Sequence, residues 1–186
     1  MLLLAAAAFG LVIGLAAGGS LRRFATLRIT WPMLLLLAVA LAVKELGVLG
    51  PLANSSVTPW LFVLSNVALV FWALRHRSQL PGLELVALGI SLNLIVLLSN
   101  GGHMPVAPAL AHRGPSQLLR DGVLGQYVLA GPATHLNWLA DTIRLPDPLY
   151  QLFPQAYSFG DLVSSIGLFV TLLLLTRASR TRADVT

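Results

Sequence analysis

The sequence contains no cysteine among its 186 residues. This absence excludes disulfide bonds, iron–sulfur clusters, thiolate zinc sites and cysteine nucleophiles. Charged residues are also scarce: they make up 10% of the chain, against about 25% in an average soluble domain. Hydrophobic residues make up 56%, so we predict an integral membrane protein in which residues 1–186 form a single membrane domain.

Recognised catalytic motifs are missing as well. The sequence has no GxSxG nucleophile elbow, no HExxH zinc motif and no glycine-rich phosphate-binding loop. His103, His112 and His135 are zinc or copper ligands by residue type, but the intervals between them match no metal-binding motif. We therefore predict no catalytic residue, no metal site and no cofactor.

The first apolar run, residues 2–17, lacks the positively charged residues that precede the apolar core of a secretory signal. Its arginines, Arg22 and Arg23, follow the run instead. We interpret the run as a retained membrane span. Four further apolar segments have comparable lengths, and a transmembrane helix needs about 20 mainly apolar residues. Together the five predict an all-α membrane protein with a bundle of five transmembrane helices, at residues 2–17, 31–50, 59–74, 81–99 and 159–176.

Basic residues indicate the orientation of the bundle, because Lys and Arg near span ends are retained in the cytoplasm. With five spans, the two loops and the tail on one side carry eight arginines: Arg22, Arg23, Arg28, Arg75, Arg77, Arg177, Arg180 and Arg182. We therefore predict a multi-pass protein with its N-terminus outside and its C-terminus in the cytoplasm. His76 lies in one of these loops, and we expect it to be solvated.

A long segment on the other side, residues 100–157, separates the fourth and fifth spans; we call it the cap segment. It contains seven of the eleven prolines, which exclude one continuous helix. The pattern predicts two short helices, at 116–130 and 134–143, followed by a proline-rich strap. The cap segment should therefore form an extracytoplasmic cap over the bundle.

Polar residues within spans are costly and are candidates for a binding site. Several polar residues lie at a similar depth near the cap segment, next to the glycine turn that ends the fourth span. Together they could line a candidate pocket: Lys44, Asn93, Asn100, Gly101, Gly102, Asp161 and Ser165. Structural roles explain the same residues. Lys44 and Glu45 could extend to the headgroups, Asp161 could form a capping box with Ser158, and Asn93 could link helices by hydrogen bonds.

Three motifs resemble the signatures of a bacterial family of integral membrane proteins of unknown function. They are an NGGxMPV turn after a span, a DxIxLP sequence and an SxGD start to the last span. The matching residues are Asn100, Gly101, Gly102, Met104, Pro105, Val106, Asp141, Ile143, Leu145, Pro146, Ser158, Gly160 and Asp161. The resemblance extends over most of the chain. It implies about five spans in the bacterial cytoplasmic membrane and supplies no activity.

Three functions fit these observations. The first is a non-catalytic accessory protein that binds a membrane-protein partner or a lipophilic ligand at its extracytoplasmic face. The second is a small transporter or channel component with Lys44, Glu45, Asn66 and Asn93 along the path. The third is an enzyme for a lipid-linked or periplasmic substrate that uses Asp141 or Asp161 with His103 or His135. In each case the surroundings are the lipid bilayer, and nucleic acid is not an expected partner.

Overall fold

The computed structural model describes residues 2–49, 55–110, 125–153 and 155–177, without the side chains of residues 23 and 44–49. The protein is mostly helical, and a helix covers each of the five apolar segments predicted as spans. The helices are α1 (Leu2–Ala16), α2 (Trp31–Leu49), α3 (Thr58–His76), α4 (Leu83–Ser99), the one-turn α5 (Leu149–Leu152) and α6 (Phe159–Arg177). Two short strands, β1 (Met104–Val106) and β2 (Tyr127–Leu129), lie in the cap segment.

Within the described residues, α3 and α6 are the helices whose length and apolar composition suit a membrane crossing. Each has 19 residues, which corresponds to about 28 Å of helix against about 30 Å of bilayer hydrocarbon. Helices α1 and α4 are shorter, with 15 and 17 residues. Helix α2 has 19 residues, of which the side chains of 31–43 are described.

The helices pack in an order that differs from their order in the chain. Helix α2 contacts α3, α3 contacts α4, α4 contacts α6, and α6 contacts α1. The first and last long helices of the chain are therefore neighbours. We call the end of the bundle where α4 finishes and α6 begins the cap end, and the opposite end the basic end.

Glycines allow α4 and α6 to approach closely. A Cβ atom on Gly89 would meet the backbone nitrogen of Ser164 at 2.6 Å, and one on Gly167 would meet the nitrogen of Val86 at 2.6 Å. The same holds between α1 and α6, where Gly10 lies against the backbone of Phe169. Small residues at helix contacts are typical of helix packing in membranes.

Large apolar side chains are exposed along the long helices, and many buried positions carry polar side chains. Each long helix exposes large apolar side chains that are more than half accessible, among them Phe9, Leu35, Leu64, Leu88 and Ile166. The buried residues of α3, α4 and α6 include many polar ones: Thr58, Ser65, Asn66, His76, Asn93, Ser164, Ser165, Thr171 and Thr176. Soluble monomers seldom expose contiguous apolar surface on this scale.

The prediction of two helices in the cap segment is wrong where the structure describes it. Residues 134–143 form turns and extended backbone, and Tyr127–Leu129 within the predicted helix 116–130 is a strand. Most of that predicted helix lies at 111–124, outside the described residues. The helical spacing of Leu136, Leu139 and Ile143 misled the prediction because the backbone of this stretch pairs with other strands instead.

The prediction for His76 is also wrong, because its side chain is 3% exposed. The Nδ1 atom lies 2.9 Å from the carbonyl oxygen of Trp72, and the two rings are 4.7 Å apart. A carbonyl oxygen only accepts, so Nδ1 carries the proton. The last turn of α3 buries this imidazole against the indole ring, while Arg75 and Arg77 on either side remain exposed.

Candidate functional site at the cap end

Backbone pairing at the cap end connects the segments that carry the three sequence motifs. Strands β1 and β2 pair in parallel, with Met104 opposite Tyr127 and Val106 opposite Leu129. On its other edge β1 pairs with Asp141, whose N–H donates to the carbonyl of Pro105 at 3.1 Å. Residues from motifs 35 positions apart therefore share backbone hydrogen bonds.

Ile143 extends this pairing to the last motif. Its N–H donates to the carbonyl of Tyr157 at 2.9 Å, and the N–H of Tyr157 donates back at 3.0 Å. Tyr157 immediately precedes Ser158, which begins the SxGD motif. The cap segment is thus connected by backbone pairing to the start of α6.

A capping box fixes the first turn of α6, as the sequence predicted. The backbone N–H of Asp161 donates to Ser158 Oγ at 2.9 Å, and the N–H of Ser158 donates to Asp161 Oδ2 at 3.1 Å. Each side chain satisfies a backbone donor that a helix start leaves free.

Asn93 joins this box to α4. Its Nδ2 donates to Asp161 Oδ1 at 3.0 Å, and its Oδ1 accepts from Ser158 Oγ at 2.8 Å. Gly160 makes the approach possible, because a Cβ atom there would collide with Asn93 Oδ1 and with the backbone of Gly89. The structure therefore brings Asn93 and Asp161 into direct contact.

The NGG turn ends α4 in a Schellman arrangement. The N–H of Gly102 donates to the carbonyl of Leu97 at 2.7 Å, and Gly101 has φ of 63°. That left-handed conformation strains residues with a Cβ atom. Gly102 also has positive φ, and a Cβ atom there would lie 2.8 Å from Pro59 Cβ on α3.

Asn100 fastens the cap segment to the end of α4. Its Oδ1 accepts from the N–H of His135 at 2.8 Å, and its Nδ2 donates to the carbonyls of His135 at 2.9 Å and Val96 at 2.8 Å. Asn100 itself has φ of −121°, so the glycines alone supply the left-handed turn.

The residues of the candidate pocket thus have different positions. Asn93 and Asp161 form one hydrogen-bonded group, whereas Asn100, Gly101 and Gly102 lie about 10 Å further along α4. The side chains of Lys44 and Glu45 lie outside the described residues, so their place in such a pocket stays a prediction.

Among the described residues, three buried side chains have polar atoms without a hydrogen-bond partner. They are the hydroxyl of Tyr157, the hydroxyl of Ser165 and both amide atoms of Gln126, on residues that are 4%, 6% and 0% exposed. Sequence reasoning missed Tyr157 and Gln126. The position of Tyr157 next to the SxGD motif could have identified it from the sequence. No motif lies next to Gln126.

Tyr157 is electrostatically coupled to the capping box. Burial, followed by the negative charge of Asp161, raises the pKa of the Tyr157 hydroxyl above its usual value. The hydroxyl therefore keeps its proton near neutral pH and can both donate and accept a hydrogen bond.

The histidines of the cap segment are not gathered into a metal site in the part of the chain that the structure describes. There, no group of three or more His, Asp or Glu side chains is placed to hold a metal ion. His103 Nδ1 lies 3.2 Å from the carbonyl of Asn100, and His112 lies outside the described residues.

The fold and the site together define a mostly helical protein with apolar helix surfaces, in which hydrogen bonds connect the segments that carry the three motifs. A family model described as a family of unknown function, DUF5317, matches residues 25–173. The chain belongs to this family, in agreement with the resemblance found in the sequence. No curated protein and no solved structure was found to match the chain.

Proposed function

We propose that the protein is a multi-pass protein of the bacterial cytoplasmic membrane in which all five long helices cross the bilayer. The apolar side chains exposed on every long helix support this, because lipid would cover them at no cost in hydration. The buried polar side chains support it too, since hydrogen bonds between helices are common within membranes.

The proposed orientation places the basic end in the cytoplasm. Arg22, Arg28, Arg75, Arg77 and Arg177 all belong to this end and are exposed. Such a one-sided distribution of arginine follows the positive-inside rule. The cap segment would then face the extracytoplasmic side, with the N-terminus outside and the C-terminus in the cytoplasm.

At the cap end we propose a non-catalytic binding site for a lipophilic ligand with a polar head. The observation that carries this proposal is the set of buried polar atoms on Tyr157, Ser165 and Gln126 that have no partner. A buried polar group without a hydrogen bond costs about 1–3 kcal/mol, and a ligand that supplies the partners would remove this cost.

The apolar residues of the cap end fit the lipophilic part of such a ligand. Met104, Leu139 and Ala140 of the cap segment pack with Phe62 of α3 and Leu97 of α4 in one buried cluster. A mainly apolar lining with a few polar groups is the usual composition of a small-molecule site.

A structural role for Asp161 favours binding over catalysis. One carboxylate oxygen accepts from Asn93 and the other from the backbone of Ser158. Oδ2 serves the helix start and Oδ1 serves the contact with α4, while both amide atoms of Asn93 bond to the same group. These contacts give both residues a structural role, which supports binding over the enzyme and transporter alternatives.

The test is purification from native membrane in mild detergent, followed by native mass spectrometry for a co-eluting small molecule. We expect a bound lipophilic compound in the wild type and its loss in Tyr157→Phe. The ligand-free thermal stability of this variant should not fall and should rise, because the substitution removes a buried polar group that is unpaired among the described residues and loses no hydrogen bond.

Tyr150→Phe is the matched control, since the Tyr150 ring packs under the guanidinium carbon of Arg144 at 4.2 Å and its hydroxyl is not among the buried polar atoms without a partner. It should retain the compound. Absence of any co-eluting compound, or equal retention by both variants, would contradict the proposed site. A co-eluting protein in place of a small molecule would favour the partner-binding alternative.

A further inference from the structure

The loops and the helix end that carry the arginines of the basic end are connected to one another by hydrogen bonds. The N–H of Ser20 donates to the carbonyl of Thr176 at 2.9 Å, which connects the α1–α2 loop to the end of α6. Gly19 makes this contact possible, because a Cβ atom there would lie 2.6 Å from the oxygen of Thr176.

A second set of hydrogen bonds joins the α1–α2 loop to the α3–α4 loop. The N–H of Arg28 donates to Gln79 Oε1 at 3.0 Å, and Gln79 Nε2 donates back to the carbonyl of Arg28 at 3.3 Å. Only the backbone of Arg28 is used, so its guanidinium is left for other partners. Near these loops, Trp72 Nε1 donates to the carbonyl of Met33 at 2.9 Å and holds the start of α2 against α3.

No described carboxylate neutralises these arginines. Among the described residues, the one ion pair joins Arg144 to Asp147, at 3.2 Å in the cap segment. Glu84, at the start of α4, accepts instead from the backbone N–H of Gly82 at 3.1 Å. The described arginines of the basic end therefore carry positive charge that no described carboxylate pairs with.

Exposed apolar side chains surround that charge. Leu21 and Phe24 lie on the short 3-10 helix Leu21–Thr26, beside Arg22. Trp31, the first residue of α2, is 83% exposed. Aromatic and apolar side chains interleaved with arginines are typical of the membrane–water interface, where rings lie at headgroup depth and guanidinium groups meet phosphates.

We propose that the basic end is a docking surface for anionic phospholipid headgroups. The five exposed arginines, Arg22, Arg28, Arg75, Arg77 and Arg177, supply the charge that complements phosphate. Leu21, Phe24 and Trp31 insert beside the acyl chains. The hydrogen bonds between Ser20 and Thr176 and between Arg28 and Gln79 fix the loops in one arrangement. Headgroups therefore meet a preformed surface. This site is separate from the ligand site proposed at the cap end.

The test compares phosphatidylglycerol and phosphatidylcholine by native mass spectrometry of the purified protein titrated with each lipid. The wild type should prefer phosphatidylglycerol. A triple variant, Arg22→Gln, Arg75→Gln and Arg77→Gln, should lower that preference by about a hundredfold, since each arginine near an anionic surface contributes about fivefold. The corresponding triple Arg→Lys variant should keep the preference, because it keeps the charge.

Arg144→Gln is the matched control, because it removes an exposed arginine at the opposite end; it should leave the preference unchanged. Equal binding of the two lipids by the wild type would overturn the proposal. Displacement of phosphatidylglycerol by millimolar inorganic phosphate would overturn it too, since the surface would then bind soluble phosphate.

If the triple variant fails to fold, raised salt must still weaken wild-type binding of phosphatidylglycerol and not of phosphatidylcholine.

Discussion

Asn93 uses both atoms of its amide to connect α4 to the start of α6. Replacement by alanine would leave Asp161 Oδ1 and Ser158 Oγ without this partner. Since an unpaired buried polar group costs about 1–3 kcal/mol, we expect Asn93→Ala to lower the free energy of unfolding by that amount. Thermal unfolding in detergent, followed by circular dichroism, measures the change.

Ser99→Ala is a suitable control for this variant, because Ser99 is exposed and its hydroxyl bonds only to the carbonyl of Ile95 in its own helix. Equal stability of Asn93→Ala and the wild type would show that the hydrogen bonds of Asn93 do not hold the two helices together.

The two glycines of the NGG turn should differ in sensitivity to substitution. Both have positive φ, which costs roughly 1–2 kcal/mol with a Cβ atom present. Gly101 has open space around it, whereas Gly102 faces Pro59 at 2.8 Å. We therefore expect Gly102→Ala to lose about 1–3 kcal/mol more than Gly101→Ala, as measured by thermal unfolding. Similar losses would mean that the contact with α3 relaxes easily.

At the level of whole elements, the contact between α4 and α6 depends on glycine. An alanine at position 160 would push its Cβ into Asn93 and the backbone of Gly89, so the helices must separate. We expect Gly160→Ala to destabilise the protein by about 1–3 kcal/mol. Gly131→Ala is the matched control, because nothing lies within 4 Å of its added Cβ. The prediction is wrong if the two variants unfold at the same temperature.

The elements of the bundle were predictable from the sequence, and those of the cap segment were not. A long apolar run forms a helix in apolar surroundings, because a helix satisfies its backbone hydrogen bonds within the same segment. Residues 134–143 are different. The backbone of Asp141 and Ile143 is paired with Pro105 and Tyr157, and such distant pairing leaves no mark in local periodicity.

For the whole molecule, the proposed orientation can be tested because the chain has no native cysteine. Single cysteines are introduced at two exposed positions, Arg77→Cys at the basic end and Ala133→Cys in the cap segment. A membrane-impermeant thiol reagent should label only Ala133→Cys in intact cells, and both variants once the membrane is opened. Labelling of Arg77→Cys in intact cells would reverse the orientation.

By itself the sequence determined the apolar helices, the grouping of arginines, the capping box at Ser158 and Asp161 and the family, since each depends on composition or on residues close together in the chain. Tertiary structure alone decided that backbone pairing connects the segments of the three motifs, that Asn93 completes the capping box, and that Tyr157 and Gln126 have buried polar atoms without partners among the described residues. Those features depend on the relative rotation and depth of separate segments, which are fixed by close packing at glycines such as Gly89 and Gly160.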